Sequence, residues 1–391
     1  MYEDAKASLI DMIEEGYRPI DRFIAWGIGG LFDWIPRNKF KVFEGIAVIV
    51  AITVFFIEFR IDRPKDRAVR VATLFTQIAQ IRALPDPEAE TIIRQIVLTL
   101  LEDGVTIRGQ DLQKVDLSGR NFPGADMRET NFSGANLQGT NLSGSFLDEA
   151  DFTGANLHGV NLSGSSLDTA NFTGANLSEV NLSGANLLGS NLTGAKLASS
   201  NFSNAVLDKI TLADADLRKA NLRGANMTYV NLRGANLRNS SLRAATLVFA
   251  DFSNADLRNA DLFNAHIEDA YFAQADLRGA NFSGVNLVEI SFSRADLSGA
   301  NLSRANLGSV HFSGTNLSEA NLREASLAFA ILGDADLDGT DITDTDFKET
   351  IGITQQQLDS ACASPKHPPK NLPQDRDGNQ LVWRGKACPE K

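Results

Sequence analysis

Four arginines recur at intervals of twenty residues: Arg218, Arg238, Arg258 and Arg278. A guanidinium is a planar fork of donors that matches carboxylate or phosphate. Four of them in register make a candidate docking ladder for an acidic protein, an anionic polymer or lipid headgroups. Arg223, Arg233 and Arg243 lie nearby. The same pattern also reads as charge balance, because Asp216, Asp256 and Asp276 stand two residues ahead of three of the arginines. Exposed pairs of that kind contribute about 0–1 kcal/mol each. Other chemistry finds little in the spacing. His158, His266, His311 and His367 are scattered and share no metal-ligand spacing with Cys362 and Cys388. The serines fall on a regular beat with no histidine and acid placed to activate one. The glycines keep the same beat and form no phosphate-cradling motif. The expectation is a protein that is not an enzyme, with no catalytic, cofactor or metal site.

That beat is the dominant feature of the chain. Every fifth residue from Ile107 to Phe347 is Leu, Phe, Ile or Met, over 49 consecutive positions without an insertion or deletion. Ala135-Asn136-Leu137-Gln138-Gly139 and Ala300-Asn301-Leu302-Ser303-Arg304 are typical units. A period of five fits neither the helical stripe at 3.6 nor the strand alternation at 2. It does fit a short extended segment followed by a corner. With the large apolar residue called i, residues i−2 and i point to one face and i−1 to the other. Ala suits i−2, where inward side chains crowd at the corner. Asn at i−1 tolerates turn geometry and bonds local backbone. Gly at i+2 suits a corner of positive φ. Repetition winds such units into a solenoid whose coils stack at about 4.8 Å.

The phenylalanines at position i set the number of sides. They are residues 122, 132, 152, 172, 202, 252, 272, 282, 292, 312 and 347, and ten of the eleven lie multiples of ten apart. Seven of them share one column of period twenty, whereas a period of fifteen scatters the set. A four-sided coil of twenty residues follows, giving about twelve coils and a rod about 58 Å long. Residues 105–350 resemble a pentapeptide-repeat protein. The resemblance implies an all-β solenoid, the right-handed quadrilateral β-helix of that family. Its members vary in function, so the fold alone does not assign one.

The flanks divide further. Residues 42–61, VFEGIAVIVAITVFFIEFRI, are long enough to cross a bilayer if Glu44 and Glu58 sit near the interfaces, and they read as a transmembrane helix. Residues 1–41 precede it, with Trp26, Phe32 and Trp34 marking an interfacial segment. Residues 62–104 read as a helical neck and N-terminal cap, with a stripe of Ile92, Ile93, Ile96, Val97, Leu100 and Leu101. A capped end keeps the last coil from templating further pairing. Residues 351–391 read as a C-terminal capping helix and an irregular tail, because Thr354 and Gln357 have capping-box spacing. Arg37, Lys39 and Lys41 precede the span and five cations follow closely, which leans toward a single-pass protein with a cytoplasmic repeat domain. The two cysteines lean the other way if they pair, and two free thiols fit equally.

The net charge is −12, and the repeats carry most of it, with 18 Lys and Arg against 29 Asp and Glu. No direct nucleic-acid binding is expected of a surface without a basic face. The reading is a non-enzymatic, membrane-anchored scaffold or protein-interaction rod, with a protein partner and scope for a homo-oligomer. The alternative is an acidic regulator that mimics nucleic acid toward an enzyme such as a topoisomerase, a role the resemblance implies for a few family members.

Overall fold

A computed structural model describes residues 97–98, 100–101 and 106–389. The proposed span at 42–61 and most of the neck lie outside the described residues. Of the neck, Val97, Leu98, Leu100 and Leu101 are helical and buried. Among the described residues no helix is long and apolar enough to cross a membrane.

The repeats form a four-sided solenoid. Residues i−1 bridge in parallel to the residue twenty further along, from Asp111 with Asn131 to Ile331 with Ile351, with one gap between His266 and Asn286. Each side is so short that only two segments lengthen into strands, β1 (Thr246–Val248) and β2 (His266–Glu268), paired in parallel with Thr246 opposite His266. The unit 135–139 shows how the backbone is satisfied, which buried peptide groups require. Ala135 N–H donates to the Phe132 carbonyl and closes the corner at 2.9 Å. Asn136 donates to Val115 in the coil before, and Leu137 and Gly139 donate to Asn156 and His158 in the coil after, at 2.8–2.9 Å. One donor remains, the N–H of Gln138, and the Asn136 side chain accepts it at 3.3 Å. Asn at i−1 therefore completes the accounting within its own unit. Its Nδ2 donates to the Asp116 side chain one coil back, and Asn156 in turn donates to Asn136, each at 3.1 Å.

The interior is filled by the i and i−2 residues. Leu and Phe at i are almost entirely buried, as is Ala at i−2. Phe132, Phe152 and Phe172 stack at 5.2 and 4.8 Å, and Phe252, Phe272, Phe292 and Phe312 continue the same column at 4.9–5.6 Å. Phe282 comes from the facing side and meets Phe272 and Phe292 edge-on. Such ring pairs add about 0.5–1.5 kcal/mol beyond burial. Where Ser or Thr replaces Ala at i−2, the buried hydroxyl usually bonds a carbonyl inside, though those of Ser200 and Ser240 do not. Thr130, Thr140 and Thr315 each donate to the carbonyl 23 residues earlier, at 2.7–2.9 Å.

The C-terminal segment closes the last coil. Helix α1 (Gln355–Ser360) opens with both hydrogen bonds of a capping box between Thr354 and Gln357, and Leu358 is buried. Beyond it the chain is irregular but continues the ladder, with Cys362 bridged to Asp341 and Lys370 to Asp346. Cys362 and Cys388 form a disulfide.

The corner sets the strain of the fold. The i+2 residue is left-handed at all 49 corners, from Gly109 to Glu349, and only 20 of these residues are glycine. A left-handed L-residue costs roughly 1–2 kcal/mol, most for a β-branched one. Thr169, at φ 55°, is β-branched, and its hydroxyl bonds only the neighbouring Asp168 carbonyl. Thr169→Gly is expected to raise stability by about 0.5–1 kcal/mol, the relief of strain less the entropy of a glycine. Equilibrium denaturation in urea checks this; a lowered midpoint would mean the corner is not left-handed there.

Candidate functional site

The solenoid brings the four arginines into one column. Residue i+1 points outward, and a twenty-residue coil places Arg218, Arg238, Arg258 and Arg278 on successive coils of the same side. Their carboxylates come from i−1 of the same units. Arg218 donates from Nε and Nη2 to both oxygens of Asp216, at 2.8 and 2.6 Å. Arg258 grips Asp256 in the same way, and its Nε lies 3.3 Å from Asp276 on the next coil. Arg278 grips Asp276 and reaches Asp296 at 3.8 Å. Arg238 differs. Asn236 stands where the others have aspartate, and the nearest carboxylate, Asp256, is 4.0 Å away and already held by Arg258. The neighbouring cations pair across coils instead, Arg233 with Asp251 at 3.3 Å and Arg243 with Asp261 at 2.9 Å. Arg243 also lies over the Phe263 ring, 4.6 Å from its centre.

The pairing holds the carboxylates ionised. The hydrogen bonds from Arg218 hold Asp216 below the ordinary carboxylate range, against the opposing effect of burial. At Asp256 and Asp276 burial pushes upward most strongly, yet the hydrogen bonds and charges of Arg258 and Arg278 together outweigh it. Groups with depressed folded pKa values stabilise the fold above the unfolded value, about 3.9, and lose that contribution as pH falls through the lower folded value. The arginines are partly solvent-exposed, so screening keeps the contribution of each pair small. Stability is therefore expected to decline as pH falls below about 4. A variant carrying Arg218→Ser, Arg258→Ser and Arg278→Ser should show a shallower decline, read from urea midpoints across the acid range. An unchanged slope would mean the pairs do not form.

The histidines remain apart. His158 bonds the Ser178 carbonyl through Nδ1 at 3.1 Å, His266 stands 3.7 Å from Glu268, and His367 stands 3.1 Å from Asp344. Among the described residues one group of metal-ligand type comes together, Asp341 with Cys362 and Cys388, and its sulfurs are joined to each other. A second surface feature escapes a linear reading. Tyr229 and Phe249 are exposed by 54 % and 37 % and stack at 4.7 Å on the corner of another side. Their signal is a shared column of period twenty at i+2, the same test that finds the arginines.

A family model for pentapeptide repeats matches the chain in overlapping segments from 111–147 to 315–351, with residue 169 alone uncovered between them. No curated protein matches the chain. Among solved structures, the chain is similar to HetL, a pentapeptide repeat protein involved in heterocyst differentiation regulation from the cyanobacterium Nostoc sp. strain PCC 7120. The identity is 29 %, covering 63 % of this chain and 95 % of that one, with a TM-score of 0.30. It is similar to trypsin-treated QnrB1, a plasmid-mediated fluoroquinolone resistance protein, at 20 % identity over 45 % of this chain and 92 % of that one, with a TM-score of 0.39. A pentapeptide repeat protein of the Arabidopsis thaliana thylakoid lumen is 26 % identical over 34 % of this chain and 80 % of that one, with a TM-score of 0.15.

Proposed function

Because the chain belongs to the pentapeptide-repeat proteins, whose fold is a right-handed quadrilateral β-helix, we propose that it is a non-enzymatic docking rod held at a membrane by residues 42–61. Family members of this kind are generally structural or interaction proteins. The partner is a protein that meets the arginine column with an acidic surface. One observation carries this reading: Arg238 stands in a column of gripped arginines without a carboxylate of its own. An incoming carboxylate gains a bidentate partner there without displacing one. The flanking arginines, fixed by their aspartates, are ordered before contact, which lowers the entropy cost of docking.

The alternative, a mimic of nucleic acid, draws on the net charge and on the family resemblance. The arginine column interrupts the acidic surface over the middle of the rod, where a mimic needs continuous negative charge. The disulfide bears on the compartment. Disulfides persist outside reducing cytoplasm, so the Cys362–Cys388 bond favours a rod on the non-cytoplasmic side. It outweighs a modest asymmetry of cations around the span.

The experiment is crosslinking and capture from solubilised membranes. Wild-type protein should stay with the membrane through a carbonate wash and capture a partner. Arg238→Ser should weaken capture more than Arg218→Ser, and Ser at all four arginine positions should abolish it with the melting transition retained. Release by carbonate would reject the anchor, and undiminished capture by the fourfold variant would reject the ladder.

A further inference from the structure

Exposed apolar residues are not spread evenly around this rod. Ten large apolar side chains are exposed among the described residues, and seven fall on the side built by residues 107, 127 and every twentieth residue to 347. They are Phe146, Leu188, Val206, Tyr229, Phe249, Val288 and Phe329. This side carries β1 and β2, and its outward positions hold only two arginines, Arg108 and Arg128, both at its N-terminal end. The arginine column lies ten residues away in the coil, on the opposite side.

The order of these residues along the side is close to a palindrome. Tyr229 and Phe249 flank its midpoint on adjacent coils of the corner column. Leu188 and Val288 share the i+1 column, each two and a half coils from that midpoint. Lys209 and Asp269 share the corner column, each one and a half coils from it. Phe146 and Phe329 lie four and a half coils out on either side, in different columns. A two-fold axis laid across the side at the midpoint maps each column onto itself and reverses the order of coils. Applied to two facing copies, it sets Tyr229 against Phe249 of the second copy and Leu188 against Val288 of the second copy. It also sets Lys209 against Asp269 of the second copy, an opposite charge. Each contact occurs twice, as an isologous interface requires.

We propose that this side is the interface of an antiparallel homodimer, and that its occupant is a second copy of this chain. Four meetings set like charges together, Asp208 with Glu268 and, at the outermost coils, Asp126 with Asp346, Arg128 with Lys348 and Glu129 with Glu349, and local partners soften them. Arg128 is held by Asp126 and Glu129 by Arg108 on their own rod. Asp208 is turned to its own rod, accepting from Asn226 Nδ2 at 2.9 Å and Thr228 N–H at 3.2 Å, and Glu268 stands beside His266. A parallel pair is disfavoured, because an axis along the rod reverses the columns and sets Tyr229 and Phe249 against the column of Asn226 and Thr246 instead of against each other. The area suffices. Twelve units of this side, from 127 to 347, stacked at about 4.8 Å and about 10 Å wide, offer roughly 580 Å² per copy, or about 1,150 Å² in all, above the roughly 1,000 Å² a specific interface needs. The dimer would display two arginine columns on its outer sides, and its formation does not depend on what they bind.

The test is the mass of the full chain in detergent, by sedimentation equilibrium, with the detergent contribution matched out. Wild type should be a dimer. Tyr229→Asp with Phe249→Asp should raise the dissociation constant at least tenfold. Aspartate is already tolerated at such left-handed corners, as at Asp214 and Asp269, so the fold should persist in the melting profile. Lys209→Glu should weaken association, and adding Asp269→Lys should restore it. Mixing a Leu188→Cys chain with a Val288→Cys chain should give crosslinks between unlike chains under a bismaleimide. A wild-type monomer at about 100 µM, an undiminished dimer in the double aspartate variant, or crosslinks mainly between like Leu188→Cys chains would overturn the proposal.

Discussion

The structure depends on one constraint: each backbone segment must find its hydrogen-bond partners twenty residues before and after itself. Asn136 reaches back to Val115, and Leu137 reaches forward to Asn156. A single inserted residue would shift every later unit against the coil beneath it and turn buried leucines outward. Forty-nine corners without an insertion are the trace of that constraint. It also makes stability a sum over neighbours, since each coil touches only the coils above and below. The ends have one neighbour each. At the C-terminal end α1, Cys362 and Lys370 lie against the final coil and occupy groups that would otherwise template further pairing.

Two features follow from how tightly the corners close. Position i+2 is left-handed everywhere, yet Tyr229, Phe249 and Phe329 occupy it in place of glycine. The strain at such sites persists because the ladder on both sides over-determines the backbone. Asn at i−1 has a more general reason. It accepts the one amide that coil stacking leaves free and donates to the coil before. Asn141, Asn161, Asn181, Asn201 and Asn221 each donate to the residue twenty before, an unbroken ladder on the outside of one side.

These features differ in how far the sequence reveals them. The beat is visible because a buried column tolerates no polar or misplaced residue, so composition and spacing repeat together. The four-sided coil is visible through Phe132, Phe152 and Phe172, which stack on one another and so recur at the coil length. Thr354 and Gln357 are legible because a capping box is local. The arginine column is legible as spacing, but its chemistry is not. Whether Arg238 shares a carboxylate with Arg258 depends on a contact between coils, eighteen residues apart in sequence. The apolar side is harder still. Its members occupy i−1, i+1 and i+2, so no position in the unit marks them, and they align only when the chain is folded at twenty.

Columns in register at twenty residues turn sequence position into surface position directly. Substitution at an outward residue leaves the packed interior in place, because i and i−2 fill most of it. Each side can therefore carry its own chemistry on a common interior. Here one side carries guanidinium groups gripped by aspartates, and the opposite side carries rings and aliphatic groups. Two opposed surfaces of different chemistry suit a part that joins things. The apolar side excludes water where it is covered, and charged groups on the far side stay hydrated and selective. The shared packed interior lets both surfaces keep their geometry whichever is engaged first.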